Sequence, residues 1–374
     1  MAEKTFINRL QLTDFRNYGS ASLRLDGRHV VLTGNNGSGK TNLMEAVSFL
    51  SPGRGLRRAV LSDVARAGAA DGFSIFASLE GMAGDVELGT GSEVLDETAV
   101  RRLRINGASV RSVDELTDHL RVLWLTPAMD GLFTGSSSER RRFLDRLVLS
   151  IDPQHGRRAS DFERAMRSRN KLLSEGRFDA SWLAGIEQQM AALGIAMALA
   201  RQEMMRLLAA LIEQRREPET FPGADLMLSG FMDEHAGMAA IDLEDTYRDS
   251  LAGARGRDAA AGRTLEGPHR SDLLVRHREK NMEAERCSTG EQKALLIGLI
   301  LAHAELVATM TGFAPILLLD EIAAHLDEGR RAALFDRIDV LGGQAFMTGT
   351  DAQMFASLGD RAQFVTVDDG HLSL

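Results

Sequence analysis

Apolar and polar positions change rhythm three times along this chain. Near the start, Ala21, Leu23 and Leu25 alternate with polar neighbours, and HVVLTG (29–34) is a short β-branched run ending in glycine. Period-two alternation predicts a half-buried strand, and an unbroken apolar run closed by a turn residue predicts a fully buried one. AVRRLRINGASVRSV (99–113) sets Asn106-Gly107 between two alternating segments, the pattern of a two-residue hairpin. Ser112 with Glu115, and Ser136 with Glu139, have capping-box spacing and predict two helix starts, the second leading RRRFLDRLVL. Between them VLWL (122–125) reads as a strand stopped by Thr126-Pro127.

From about Arg157 to Arg216 the rhythm is helical almost throughout, with a break at Glu175-Gly176. Ile186, Met190, Leu193, Met197, Ala200, Met204, Leu207 and Leu211 recur at alternating spacings of four and three, a heptad seam. This predicts an antiparallel helical hairpin, closed by the proline-containing EPETFPG (217–223). Strand and helix patterns then alternate again: APILLLDE, EGRRAALFDRI, QAFMTGT, and a terminal hairpin turning at Asp369-Gly370. Such alternation implies a largely parallel sheet. The expected architecture is α/β: a head made of residues 1–150 and 224–374, interrupted by a hairpin arm over 151–223.

Composition excludes more than it selects. The 374 residues are 44% hydrophobic and 26% charged, the balance of a globular protein with a substantial core. No uncharged apolar run reaches the roughly 18 residues of a membrane span, and MAEKTFINRL is charged where a signal peptide needs an apolar block. A lone cysteine, Cys287, excludes an internal disulfide. The expectation is a cytoplasmic protein without a membrane partner. Net charge is −9, yet residues 136–170 hold nine Arg against five acids, and 54–66 four Arg against one Asp. These stretches are either solvated helix faces or surfaces for a polyanion.

The candidate chemistry is concentrated in three places. GNNGSGKT (34–41) follows the strand HVVLT and precedes an apolar helix, the context a P-loop requires. Its glycines let the backbone amides from Gly34 through Asn35, Asn36, Gly37, Ser38 and Gly39 turn inward on phosphates. Lys40 would reach the outer phosphates of ATP and Thr41 would offer its hydroxyl to Mg²⁺. ILLLDE (316–321) ends an apolar strand in Asp320, a candidate metal ligand, and Glu321, a candidate to activate water. CSTGEQKALL (287–296) reads two ways: Ser288 and Glu291 have capping-box spacing, and Ser-x-Gly-x-Gln before a helix also suits a terminal phosphate.

P-loop, STGEQ, a strand ending in Asp-Glu, and AAHLDEGRR with Asp327 together resemble the ABC-type ATPase heads. The long insertion separates the chain from compact transporter heads and points to the group with coiled-coil arms. LQLTDFRNY (10–18), ERRRFLDRLV (139–148), SRNKLL (168–173), GPHRSDL (267–273) and FMTGTD (346–351) are similar, in order, to segments of the RecF recombination-mediator family within that group. The resemblance implies an ATP-dependent homodimer on double-stranded or gapped DNA, with single strands as the lesser alternative. It implies work with RecR and RecO to load RecA, in gap repair, replication restart and the SOS response. In such a dimer Ser288, Gly290 and Gln292 would complete the partner's nucleotide site, with Asp327 at the seam. A transporter ATPase subunit and a non-hydrolysing ATP-binding scaffold are the alternatives.

Arg54, Arg57 and Arg58 after the P-loop helix, and Arg140, Arg141 and Arg142 before the arm, are the candidate DNA contacts, with Arg157 and Arg158 beside them. Two departures from the wider ABC pattern matter. Where many heads carry a histidine against the γ-phosphate, this chain has Thr348 or Thr350, and no Gln occurs from Leu12 to Pro153 to couple metal and nucleotide. A hydroxyl cannot carry charge as an imidazole can, so the chain is expected to be a weak, DNA-dependent ATPase working as a switch. Steady-state turnover should lie well below about 10 s⁻¹, the median for enzymes.

Overall fold

The computed structural model describes residues 4–69, 72–81, 84–95, 98–176, 179–214, 220–231, 235 and 237–374. The chain divides into two compact units. Unit 1 comprises Met1–Asp130, Glu217–Pro222 and Ser288–Leu374; unit 2 comprises Gly131–Arg216 and Gly223–Cys287. Unit 2 thus starts before and ends beyond the arm expected over 151–223. Residues 177–178 and 215–219, including the start of EPETFPG, lie outside the described residues.

Unit 1 opens with β1 (Phe6–Phe15), β2 (Tyr18–Arg24), β3 (His29–Thr33) and α1 (Lys40–Ser48). Strands β4 (Ser74–Gly81), β5 (Gly84–Leu95), β6 (Thr98–Ile105), β7 (Ala108–Ser109) and β8 (Val122–Leu125) follow. Unit 2 contributes α2 (Ser137–Leu149), α3 (His155–Glu175), α4 (Ala180–Gln214), β9 (Ala224–Ser229), α5 (Ala240–Gly253), α6 (Arg255–Ala261), β10 (Asp272–His277) and β11 (Met282–Glu283). The chain returns to unit 1 with α7 (Thr289–Thr311), β12 (Ile316–Leu319), α8 (Glu328–Leu341), β13 (Ala345–Gly349), β14 (Ala362–Asp368) and β15 (His371–Ser373).

Two kinds of strand pattern become two kinds of sheet. β3, β8, β12 and β13 are buried at nearly every position. With β14 and β15 they form a sheet in the order β15-β14-β3-β13-β12-β8, parallel except at β15. Continuous apolar strands are what a sheet covered on both faces requires. The alternating strands of the first half build a separate antiparallel sheet, β2-β1-β4-β5-β6-β7, so the parallel arrangement covers only part of the strand content. Asn106 and Gly107, with φ of 50° and 80°, turn the β6–β7 hairpin. Phe15, Phe49 and Phe73 meet edge to face at 6.0, 5.4 and 5.8 Å between ring centroids within the unit's core. The fully buried Gln344 stitches the two sheets: Ile7 N–H donates to its Oε1 at 2.9 Å, and its Nε2 donates to Arg28 O at 3.1 Å. By length and hydropathy α4 and α7 could each cross a bilayer, which uncharged runs did not show. The most apolar stretch of α7 is 72% buried, which makes it the core helix of this unit.

In unit 2 the 35-residue α4 is about 52 Å long and packs along α3. Its buried face takes in part of the apolar seam of the sequence, Met190, Met197 and Met204, together with the positions one residue later: Glu187, Ala191, Gly194, Ala198, Arg201, Met205, Leu208 and Ile212. Gly194 admits the Phe162 and Tyr247 rings, which an added Cβ would approach to 3.0 and 3.1 Å. Two charged residues therefore lie in the packed seam, and both are satisfied. Arg169 of α3, fully buried, donates to Glu187 at 3.0 Å, to Asp258 at 2.7 Å, to Leu251 O at 2.7 Å and to Thr264 Oγ1 at 3.1 Å. Arg201 donates to both Asp145 oxygens at 2.7 and 2.9 Å and to Pro268 O at 2.7 Å. Burial alone would raise the Asp145 carboxyl, but hydrogen bonds from His155 and Arg201 outweigh it and hold it at about 2. Partners supplied by residues 251–268 are the physical reason the hairpin belongs to a larger unit.

These buried groups fix an acid response. Burial pushes the His269 imidazole down to about 4, with Arg270, Arg141 and Arg201 also opposing its proton. In the unfolded chain it titrates near 6.5. Between those values only the unfolded state binds the proton, so stability is intact above pH ~6.5 and declines as pH falls toward ~4, by up to about 3 kcal/mol. Burial lowers His29 in unit 1 in the same direction. Urea unfolding from pH 7.5 to 4.5 should show this decline, with a shallower slope for His269→Gln.

Candidate nucleotide-binding site

The turn between β3 and α1 has the shape an anion site needs. Gly34 has φ 140°, and a Cβ there would lie 2.2 Å from Val367 O of β14. Gly39 has φ 119°, and a Cβ would meet Asn17 Nδ2 at 2.7 Å. Helix α1 starts on Gly39 without a side-chain cap, and uncapped first-turn amides seek an outside acceptor. Ser38 Oγ is buried with no partner. Lys40 Nζ folds back onto Gly34 O at 2.6 Å and Asn35 O at 2.7 Å. Burial pushes its ammonium down while the Glu321 and Asp320 carboxylates raise it. An orphaned hydroxyl, uncapped amides and a lysine resting on its own loop suit a phosphate chain.

The loop is braced from behind. Asn17 Nδ2 donates to Ser38 O at 3.1 Å and Tyr18 OH to Gly39 O at 2.9 Å. Gly370 N–H, in the β14–β15 turn, donates to Ser38 O at 3.1 Å. Asn42 Nδ2 reaches Asn17 Oδ1 at 2.7 Å. Glu45, fully buried on α1, is held by Arg16 at 2.7 Å and Arg57 at 2.8 Å. Of these braces the sequence had offered DFRNY only as part of a family segment. A polar Asn and a Tyr hydroxyl beside buried Phe were the available signal.

Asp320, at the end of β12, meets the P-loop. Thr41 Oγ1 lies 3.1 and 3.2 Å from the two Asp320 oxygens, so a hard cation with oxygen ligands fits between them. Glu321 follows in a left-handed conformation, φ 52° and ψ 26°. Thr348 differs from its sequence assignment: its fully buried hydroxyl donates to Asp320 at 2.8 Å and accepts the Glu321 N–H at 2.8 Å, which leaves no proton for a phosphate. Thr350 is exposed.

Ser288 caps α7 in a complete capping box with Glu291, its backbone N–H 2.9 Å from Glu291 Oε2. Ser288 and Gly290 are exposed, and a Cβ on Gly290 would meet open space. Gln292 is a correction: it is buried within unit 1, because one turn into the helix its position faces the core. Asp327 is exposed and caps α8 by accepting Arg330 N–H at 2.9 Å.

The arginines divide by environment. Arg54, Arg57 and Arg58 are exposed on a loop held from below by Arg101, which donates to Gly53 O at 2.8 Å and to Phe49 O, with burial pushing its guanidinium down to about 10. Arg57 also donates to Asn42 at 2.5 Å. In unit 2, Arg140 is paired with Asp272 at 2.6 Å and bonds Gly135 O at 2.7 Å, and Arg141 bonds Ser271 O at 2.7 Å. Both are committed to internal bonds, which corrects their placement on an open DNA face; Arg142 is exposed. Arg157 is exposed, while Arg158 pairs with Asp152.

The site and fold define a P-loop nucleotide-binding head. The profile of the RecF/RecN/SMC N terminal domain family matches residues 6–373. Over the full length of both chains, the sequence is 99% identical to the DNA replication and repair protein RecF of Allorhizobium ampelinum and 72% identical to that of Agrobacterium fabrum. The chain therefore belongs to the RecF/RecN/SMC family, and within it to the RecF proteins. The fold agrees with a solved structure described as the recombination mediator protein RecF-ATPrS in the RecFOR pathway, at a TM-score of 0.86 and 20% identity, covering 100% of this chain and 99% of that one. An Smc head domain from Pyrococcus furiosus with an extended coiled coil aligns at a TM-score of 0.54 and 17% identity, covering 99% and 95%.

Removing one brace tests the P-loop geometry. Tyr18→Phe deletes a single hydrogen bond of about 1 kcal/mol, so affinity for a fluorescent ATP analogue should fall roughly five-fold with the fold intact.

Proposed function

We propose that this chain is an ATP-dependent DNA-binding switch of replication and recombinational repair. The observation that carries this reading is the meeting of Thr41 with Asp320, which assembles a nucleotide site from motifs 279 residues apart. Backbone amides of Asn35–Thr41 and the Lys40 ammonium would hold the phosphates, and Thr41 with Asp320 would hold Mg²⁺. The metal, when bound, neutralises phosphate charge and orients the terminal group. Glu321 would accept a proton from water beside that group, slowly, so that binding rather than turnover governs the state.

Ser288 and Gly290, exposed at the start of α7, and Asp327, exposed at the start of α8, would face the nucleotide of a second copy in a head-to-tail dimer. Arg54, Arg57 and Arg58 of unit 1 and Arg142 of unit 2 are the exposed candidates for contact with the phosphates of double-stranded or gapped DNA. The relatives are named for DNA replication and repair, and the related solved structures are described as RecF-ATPrS and RecF-ATP in the RecFOR pathway. That kinship supports the same role here, in the cytoplasm with RecR and RecO and ahead of RecA loading.

Mass in solution tests the switch. With ATP and gapped duplex the protein should double in mass, Lys40→Ala should stay monomeric, and Glu321→Gln should keep the dimer after free ATP is removed. A monomer under every condition, or one indifferent to DNA, overturns the proposal. Arg54→Glu with Arg58→Glu should weaken DNA binding and flatten its salt dependence, by roughly one unit of slope for each DNA phosphate the protein no longer neutralises.

A further inference from the structure

Glu321 occupies a conformation that non-glycine residues seldom adopt, φ 52° and ψ 26°. Such backbone persists only where the surroundings over-determine it. The residue that does so is not a neighbour in sequence. Thr348 lies on β13, whose register sets Leu319 beside Met347 and so brings Thr348 alongside the end of β12. Its hydroxyl has one proton and spare lone pairs, and the geometry uses both functions. The proton goes to Asp320 Oδ1 at 2.8 Å, and a lone pair takes the Glu321 N–H at 2.8 Å. Thr348 is fully buried, so solvent does not compete for either bond.

We infer that Thr348 is a positioning residue that locks the Asp320–Glu321 pair into one arrangement, fixing a metal-facing oxygen and the direction of the Glu321 carboxylate with a single hydroxyl. Its bond to Asp320 Oδ1 is directed at the same oxygen that Thr41 approaches at 3.1 Å, so it orients that carboxylate relative to the P-loop. Its bond to the Glu321 amide holds the turn that separates the two carboxylates. The inference rests on the proposed role of Glu321 in hydrolysis, but the backbone clamp itself is measurable without nucleotide.

The test compares Thr348→Val, which keeps the shape and removes both bonds, with Thr348→Ser, which keeps both. In nucleotide-free protein, hydrogen exchange at the Glu321 amide should quicken at least tenfold in Thr348→Val and stay at the wild-type rate in Thr348→Ser. ATP turnover should fall tenfold or more in Thr348→Val while affinity for a fluorescent ATP analogue stays within threefold, and Thr348→Ser should restore it. On a Glu321→Gln background Thr348→Val should cause no further loss, as expected for residues acting as one unit. If Thr348→Val does not fold, Thr348→Ala is read by the same criteria. Wild-type turnover in the valine variant, or unchanged amide exchange, overturns the inference. So does a full additional loss on the Glu321→Gln background, which would mark the threonine as structural. If the wild-type protein hydrolyses no ATP, the proposed activity fails instead, while amide exchange still decides the clamp.

Discussion

One carboxylate organises the nucleotide head. Asp320 takes hydrogen bonds from Thr41 at the start of α1 and from Thr348 at the end of β13, so three segments far apart in sequence share a single acceptor. The parallel sheet makes that possible, since β13 lies between β3 and β12 and their C-terminal ends align. Open α/β sheets bind their ligands beyond those strand ends. Here the P-loop lysine, the buried Asp320 and the strained glutamate all reach the same rim. Displacing Asp320 would disturb each of them at once.

Unit 2 depends on charge in a different way. ERRRFLDRLV, SRNKLL and GPHRSDL, three of the segments similar to the RecF family at the sequence level, supply much of its internal wiring. Arg140 pairs with Asp272, Asp145 takes Arg201, Arg169 gathers Glu187 and Asp258, and Pro268 accepts from Arg201. Buried pairs of this kind add little net stability over a hydrophobic replacement, yet removing one partner strands the other and costs several kcal/mol. They therefore hold these helices to one mutual packing, because a shifted helix would leave Arg169 or Arg201 without acceptors.

Local chemistry was readable from sequence because it depends on neighbours. All three capping boxes formed, at Ser112, Ser136 and Ser288, and both Asn-Gly and Asp-Gly turns closed hairpins. P-loop and Asp-Glu strand carried enough context to be paired before any geometry was known. The buried face of α4 is wider than its apolar seam because Glu187 and Arg201 look like surface positions until their partners on other helices are seen. Gln292 and the two committed arginines were misjudged for the same reason: exposure is a tertiary property. Thr348 was noticed, but whether its hydroxyl faced a phosphate or a carboxylate depended on strand register across the sheet.

The floor beneath the P-loop has a temporal consequence. Gly34 rests against the carbonyl of Val367, and Ser38 O is capped by the amide of Gly370. During synthesis the loop emerges early, whereas the strand and turn that support it come only after the whole of unit 2 and most of Ser288–Leu374. A nascent chain therefore carries the phosphate-binding sequence for most of its translation without the support that shapes it. Competence to bind nucleotide would then be a late event, coincident with completion of the sheet.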